Sequence, residues 1–85
     1  MNKRKFLLKI YNNNKNVNFD DFVTLVEAFG FSRIRVRGSH NIFARDDVKD
    51  LVNIQNDNGQ AKPYQIKQFL ALVEMNRLSL EDDNE

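Results

Sequence analysis

Apolar residues recur along this chain at two different periods, and the switches between them mark out its elements. From Asn18 to Gly30 the residues Phe22, Leu25, Val26 and Phe29 fall on one helical face. Asn18 is a good N-cap, and Asp20 and Asp21 suit the positive end of a helix dipole. Gly30 supplies a left-handed stop. From Arg33 the period drops to two. Ile34 and Val36 are expected on one face of a strand, and Arg33, Arg35 and Arg37 on the other. Gly38-Ser39 reads as a turn and Asn41 to Arg45 as a second strand. Asp46 to Asp50 reads as a polar connection. Leu51 to Gln55 reads as a third strand, with Val52 and Ile54 sharing a face. Asn56-Asp57-Asn58-Gly59 is a loop of turn formers. Pro63 then opens a second helix with Ile66, Phe69, Leu70 and Val73 on its stripe. Leu78 is expected to close the core. Ahead of all this, residues 3–10 form a short amphipathic helix carrying Phe6, Leu7 and Ile10, which Asn12, Asn13 and Asn14 break.

This order predicts an α+β fold: a three-stranded antiparallel sheet with two helices on one face (α-β-β-β-α), plus the short N-terminal helix. Strands polar on one side expect one covered face. Both helices are therefore expected on the Ile34/Val36 side, leaving the arginine side open. The chain divides into a partly helical extension (1–16), the domain (17–78) and an acidic, disordered tail (79–85).

Composition narrows the chemistry. The 85 residues include no cysteine and one histidine, so neither a disulfide nor a thiolate or imidazole cluster for zinc is expected. No cofactor is called for. No apolar run reaches the length of a membrane span, and no signal peptide is expected. The composition suits a cytoplasmic protein. Net charge is +1, but Glu81 to Glu85 hold four of the twelve acids. Residues 1–80 carry all thirteen Lys and Arg against eight acids, a balance of +5. A basic body favours an anionic partner such as nucleic acid.

The candidate chemistry gathers at Arg35-Val36-Arg37-Gly38-Ser39-His40. An unshifted histidine titrates near ~6.5 and can move a proton at neutral pH. Beside arginines, that is the equipment for phosphodiester cleavage. A histidine after a glycine turn is also an ordinary surface group, and an alternating charged strand is also ordinary solvated sheet. Arg45, Lys62 and Lys67 join Arg35 and Arg37 as candidate phosphate contacts, the lysines because they flank a helix N-terminus. Gly38 is read as shaping the turn and Ser39 as a turn residue able to hydrogen-bond a phosphate. Phe43 shares its parity with Asn41 and Arg45. It either faces outward to stack on a base or packs in the core, which is at least as favourable.

Three stretches together resemble a known family. They are Val17-Asn18-Phe19-Asp20-Asp21-Phe22-Val23, Glu27-Ala28-Phe29-Gly30-Phe31, and Arg37-Gly38-Ser39-His40-Asn41-Ile42-Phe43. In this order, with Gly59-Gln60-Ala61-Lys62-Pro63-Tyr64-Gln65-Ile66 after them, they are similar to the HicA-type toxins of toxin–antitoxin pairs. The resemblance runs from about Val17 to Leu78. It implies a double-stranded-RNA-binding-domain-like fold used as an mRNA interferase, a ribonuclease that cuts mRNA and slows translation. It places the family's functional histidine on His40 and its turn glycine on Gly38. It also implies a HicB-like antitoxin that covers the active site. The extension through Asn16 is longer than in the shortest family members, and the third strand lacks the Pro and His often found after it. Two rivals are a non-catalytic RNA-binding module of this fold and a protein whose main work is to bind an antitoxin or regulator.

Overall fold

The structure, a computed structural model, describes residues 1–81. Three helices form where capping and periodicity agree. Helix α1 spans Lys3–Asn12 and α2 spans Phe19–Ala28. The Asn18 side chain accepts the Asp21 backbone N–H at 3.0 Å, satisfying one of the N–H groups a helix start leaves without a partner. Gly30, at φ +91°, turns the chain out of α2. Helix α3 spans Pro63–Met75 with proline in its first turn.

Between α2 and α3 lie β1 (Ser32–Arg37), β2 (His40–Arg45), β3 (Val48–Asp57) and β4 (Gln60–Ala61). They pair antiparallel in the order β1-β2-β3-β4. Gly38, at φ +59°, opens the two-residue turn between β1 and β2, as a type II′ turn requires. Asn58 and Gly59 both have positive φ, the signature of a type I′ hairpin.

The architecture agrees with the α+β expectation, with differences of detail. The polar connection shrinks to Asp46-Asp47, because β3 already begins at Val48. The loop of turn formers is a hairpin whose return is a two-residue fourth strand. The face assignment of β1 needs correction. Register shifts between Arg33 and Arg35, a β-bulge that breaks the simple alternation. Arg33 therefore pairs with Phe43 on the helix side, its guanidinium carbon 5.2 Å from that ring's centroid. Arg35 and Arg37 pair with Ile42 and His40 on the other side. Nor do Ile34 and Val36 join the core, at 55% and 57% exposure. The reason is position: the helices pack over β3 and β4, and β1 is the edge strand beyond them.

The core lies between the helices and the inner face of β2 and β3. Phe43 belongs to it, fully buried with Val52 and Ile54. Phe69 of α3 is its hub, meeting the rings of Phe22, Phe29 and Phe31 edge-on at 5.6, 5.6 and 5.7 Å. The α1 helix buries Ile10 and packs Phe6 and Leu7 against the same cluster. Tyr11 reaches Glu74 of α3, and burial, then that hydrogen bond and charge, push its phenol above the ordinary range. Leu78 and Leu80 pack on the core, and the Glu81 N–H donates to the Ala28 carbonyl at 2.8 Å. The disorder expected of the tail covers 79–85; residues 79–81 are described and lie against the domain through Leu80 and the Glu81 N–H, while 82–85 lie outside the described residues. Among the described residues no helix is long and apolar enough to cross a membrane.

Candidate active site

The pleat sorts β2 into two sets. Asn41 and Phe43 point inward and are buried; His40 and Ile42 point to the face without helices. Asn41 is a buried polar residue whose amide donates to the Ser39 carbonyl at 3.2 Å and to the Ile54 carbonyl at 3.5 Å. The Ser39 carbonyl also accepts the Asn56 N–H at 3.0 Å. The turn ahead of His40 is thereby tied to β3, so the histidine sits on a braced strand end.

Strand pairing then assembles a row. Arg37 is directly opposite His40, and His40 directly opposite Gln55. Paired residues on one face have Cβ atoms about 4.5–5.5 Å apart. The next row on this face is Arg35, Ile42 and Asn53. His40 is half-buried, and its Nδ1 lies 3.2 Å from Asn53 Oδ1. Arg35 and Arg37 are exposed and make no ion pair or side-chain hydrogen bond among the described residues, so their guanidinium groups are free to meet an anion. Ser39 is exposed at the turn. Nothing lies within 4 Å of a Cβ built on Gly38; its positive φ, not crowding, is what favours glycine there.

Beyond Gln55 the row meets the start of α3. The Gln55 N–H donates to Gln65 Oε1 at 2.7 Å, and Gln65 Nε2 donates back to Gln55 Oε1 at 3.2 Å. The Tyr64 hydroxyl also reaches Gln55 Oε1, at 3.4 Å. Buried Gln65 thus clips the edge of the His40 row to the helix. Asn53, Gln55, Tyr64 and Gln65 were not among the residues expected from sequence. No period or spacing marks them, because their meeting depends on strand register and on where α3 docks.

The other candidates divide. Lys62 is the N-cap residue of α3, half-buried, at the end of the helix that carries Tyr64 and Gln65. Lys67 is exposed but borders a groove between α1 and α3 with Tyr11, Asn14 and Glu74, away from the His40 row. Arg45 lies at the far end of β2 on the helix side. It donates from Nη1 to the Phe29 carbonyl at 2.7 Å, and its Nε is 2.7 Å from Asp47 Oδ1. This cation closes the C-terminus of α2. Arg45→Met is expected to cost about 1.5–3 kcal/mol, the range for a lost charged hydrogen bond, read as a lower urea midpoint. It is expected to change RNA affinity less than loss of Arg35 and Arg37.

Among the described residues no three His, Asp or Glu side chains come together as a metal site. The row brings one imidazole, two arginines and side-chain amides together on an open face. A family model described as HicA toxin of bacterial toxin–antitoxin matches residues 19–75 of the chain. No significant match to a curated protein or to a solved structure accompanies it.

Proposed function

Because the chain belongs to the HicA toxin family of bacterial toxin–antitoxin systems, we propose that it is an mRNA interferase. It is a cytoplasmic, metal-independent endoribonuclease that cleaves mRNA through His40 and so arrests translation and growth. The observation that carries this reading is the row itself: His40 stands on the uncovered face between Arg37 and Gln55.

The chemistry fits one histidine. RNA brings its own nucleophile, the ribose 2′-hydroxyl, so the protein needs no activated serine, thiol or metal-bound water. The 2′-oxygen attacks the adjacent phosphorus, the bond to the 5′-oxygen breaks, and a 2′,3′-cyclic phosphate remains. His40 handles the proton, a contribution of about 10²–10⁴-fold for a positioned acid or base. Arg37 and Arg35 bind the phosphates and offset the charge that builds in the transition state. Such an enzyme is slow compared with nucleases that add a metal or a second titrating group. A HicB-like antitoxin would silence it by covering the open face, where RNA must bind.

Two measurements test the reading. Purified protein is expected to convert single-stranded RNA to fragments ending in cyclic phosphate, and intact RNA after prolonged incubation would reject an enzyme. Binding is expected to weaken as salt rises, since each phosphate contact releases a counterion. Replacing Arg35 and Arg37 together is expected to weaken binding more, and to lower the salt slope more, than replacing Lys3 and Arg4 on α1. Equal losses from the two pairs would move the RNA off the His40 face.

A further inference from the structure

We propose that Asn53 is a positioning residue for His40: its amide oxygen holds the imidazole as the Nδ1–H tautomer and leaves Nε2 to exchange the proton with RNA. The proposal rests on the reading of His40 as the cleavage residue. Asn53 lies on the neighbouring strand, on the same face as His40 and one row along, and its Oδ1 is 3.2 Å from Nδ1. No other hydrogen bond engages its side chain among the described residues. The strands on which the two residues sit are fixed by the Asn41 and Ser39 bonds to β3 and by the Gln65 clip on Gln55. The ring and the amide therefore face one another across a rigid ladder.

Which imidazole nitrogen keeps the proton is set by the bond the other makes. An amide oxygen only accepts, so it selects Nδ1–H. Rotating the amide would offer an N–H to the Nδ1 lone pair and select the opposite tautomer. That arrangement fails when the ring takes up a proton, because both nitrogens of the imidazolium are donors. Only the Oδ1 orientation serves the neutral and the charged ring alike. With it, proton uptake at Nε2 needs no rearrangement around His40. In the cleavage step Nε2 takes the 2′-hydroxyl proton as the 2′-oxygen–phosphorus bond forms. As the phosphorus–5′-oxygen bond breaks, the imidazolium returns that proton to the departing 5′-oxygen. The ring ends neutral, with Nδ1–H still on Asn53.

The test is nitrogen-15 NMR of the full chain without RNA, at about two pH units above the ordinary histidine value of ~6.5. The chain has one histidine, so the imidazole signals need no assignment. The proton is expected on Nδ1 in the wild type. In Asn53→Ala the tautomer ratio is expected to move toward Nε2–H, with cleavage down about 10-fold and RNA affinity unchanged. Asn53→Asp keeps an acceptor, so it is expected to keep the tautomer and to move the pH–rate profile upward. An Nε2–H wild type, or an unchanged ratio in Asn53→Ala, overturns the proposal. An Nδ1–H wild type combined with a His40→Ala variant that still cuts RNA would sink the cleavage reading, while the hold of Asn53 on the ring would stand.

Discussion

Replacing His40 by alanine is expected to lower RNA cleavage by about 10²–10⁴-fold, to the background of a slow enzyme, and to abolish growth arrest. The fold is expected to survive. His40 is only half-buried, and its side chain makes one hydrogen bond, to an exposed asparagine. A surface change of this kind costs under about 1 kcal/mol. Circular dichroism and the melting temperature should therefore stay near those of the wild type, while mRNA in cells expressing the variant stays intact. A chelator is expected to leave wild-type cleavage unchanged. A folded His40→Ala protein that cuts at the wild-type rate would falsify the mechanism.

The largest effect on stability is expected at Phe69. Its ring is 2% exposed and touches three other phenylalanines, from α2 and from the segment that leads into β1. Phe69→Ala removes the hub and leaves a cavity that the surrounding rings would have to collapse into. The cost is about 3–5 kcal/mol, against a total on the order of 5–10 kcal/mol for a small domain. The melting temperature is expected to fall by roughly 15–30 °C. Phe69→Leu, which keeps most of the volume, should lose far less. A drop of only a few degrees in Phe69→Ala would mean that the ring cluster does not organise the core. Because Phe69 lies on the far side of the sheet from His40, the folded fraction of such a variant should keep its RNA affinity.

The helices were legible because their stripes recur without interruption and their caps are in the right places: Asn18 before α2, Gly30 after it, Pro63 at the start of α3. The second and third strands were legible as segments, the third from Val52 and Ile54 sharing a face, while parity with Asn41 and Arg45 left the direction of Phe43 open. Asn56 to Gly59 read as a loop of turn formers and not as a hairpin, because the return strand is two residues long, too short for a period to register. The misassigned face of β1 has a different cause. Alternation assumes an unbroken pleat and a covering layer. The bulge at Ile34 breaks the first assumption, and the edge position removes the second. Arg45 shows the limit of counting cations near a site, since beside Asp47 it is held by a backbone carbonyl that sequence does not reveal. Asn53 and Gln55 stand where polar residues on a strand look like ordinary surface, and only register brings them to His40.

The two margins of the sheet are not equivalent. Along β4 the chain closes its own border: the Ala61 N–H donates to Val17 and the Phe19 N–H to Gly59, so the lead-in to α2 runs beside the last strand. Along β1 nothing does so among the described residues. There an unpaired row of peptide groups lies next to exposed Ile34 and Val36. A bare apolar border of this kind templates a second copy unless charge or a kink prevents it. Here both are present, as Arg33, Arg35 and Arg37 and as the bulge. Arg35 and Arg37, proposed above to meet phosphate, are thus also expected to oppose edge-to-edge pairing of two molecules in concentrated solution. Their repulsion is screened within about 3 Å at 1 M salt, against about 10 Å at 0.1 M. Variants that neutralise them are expected to lose this guard together with the proposed anion contacts. Binding measured on them belongs at low protein concentration, with the particle size followed alongside.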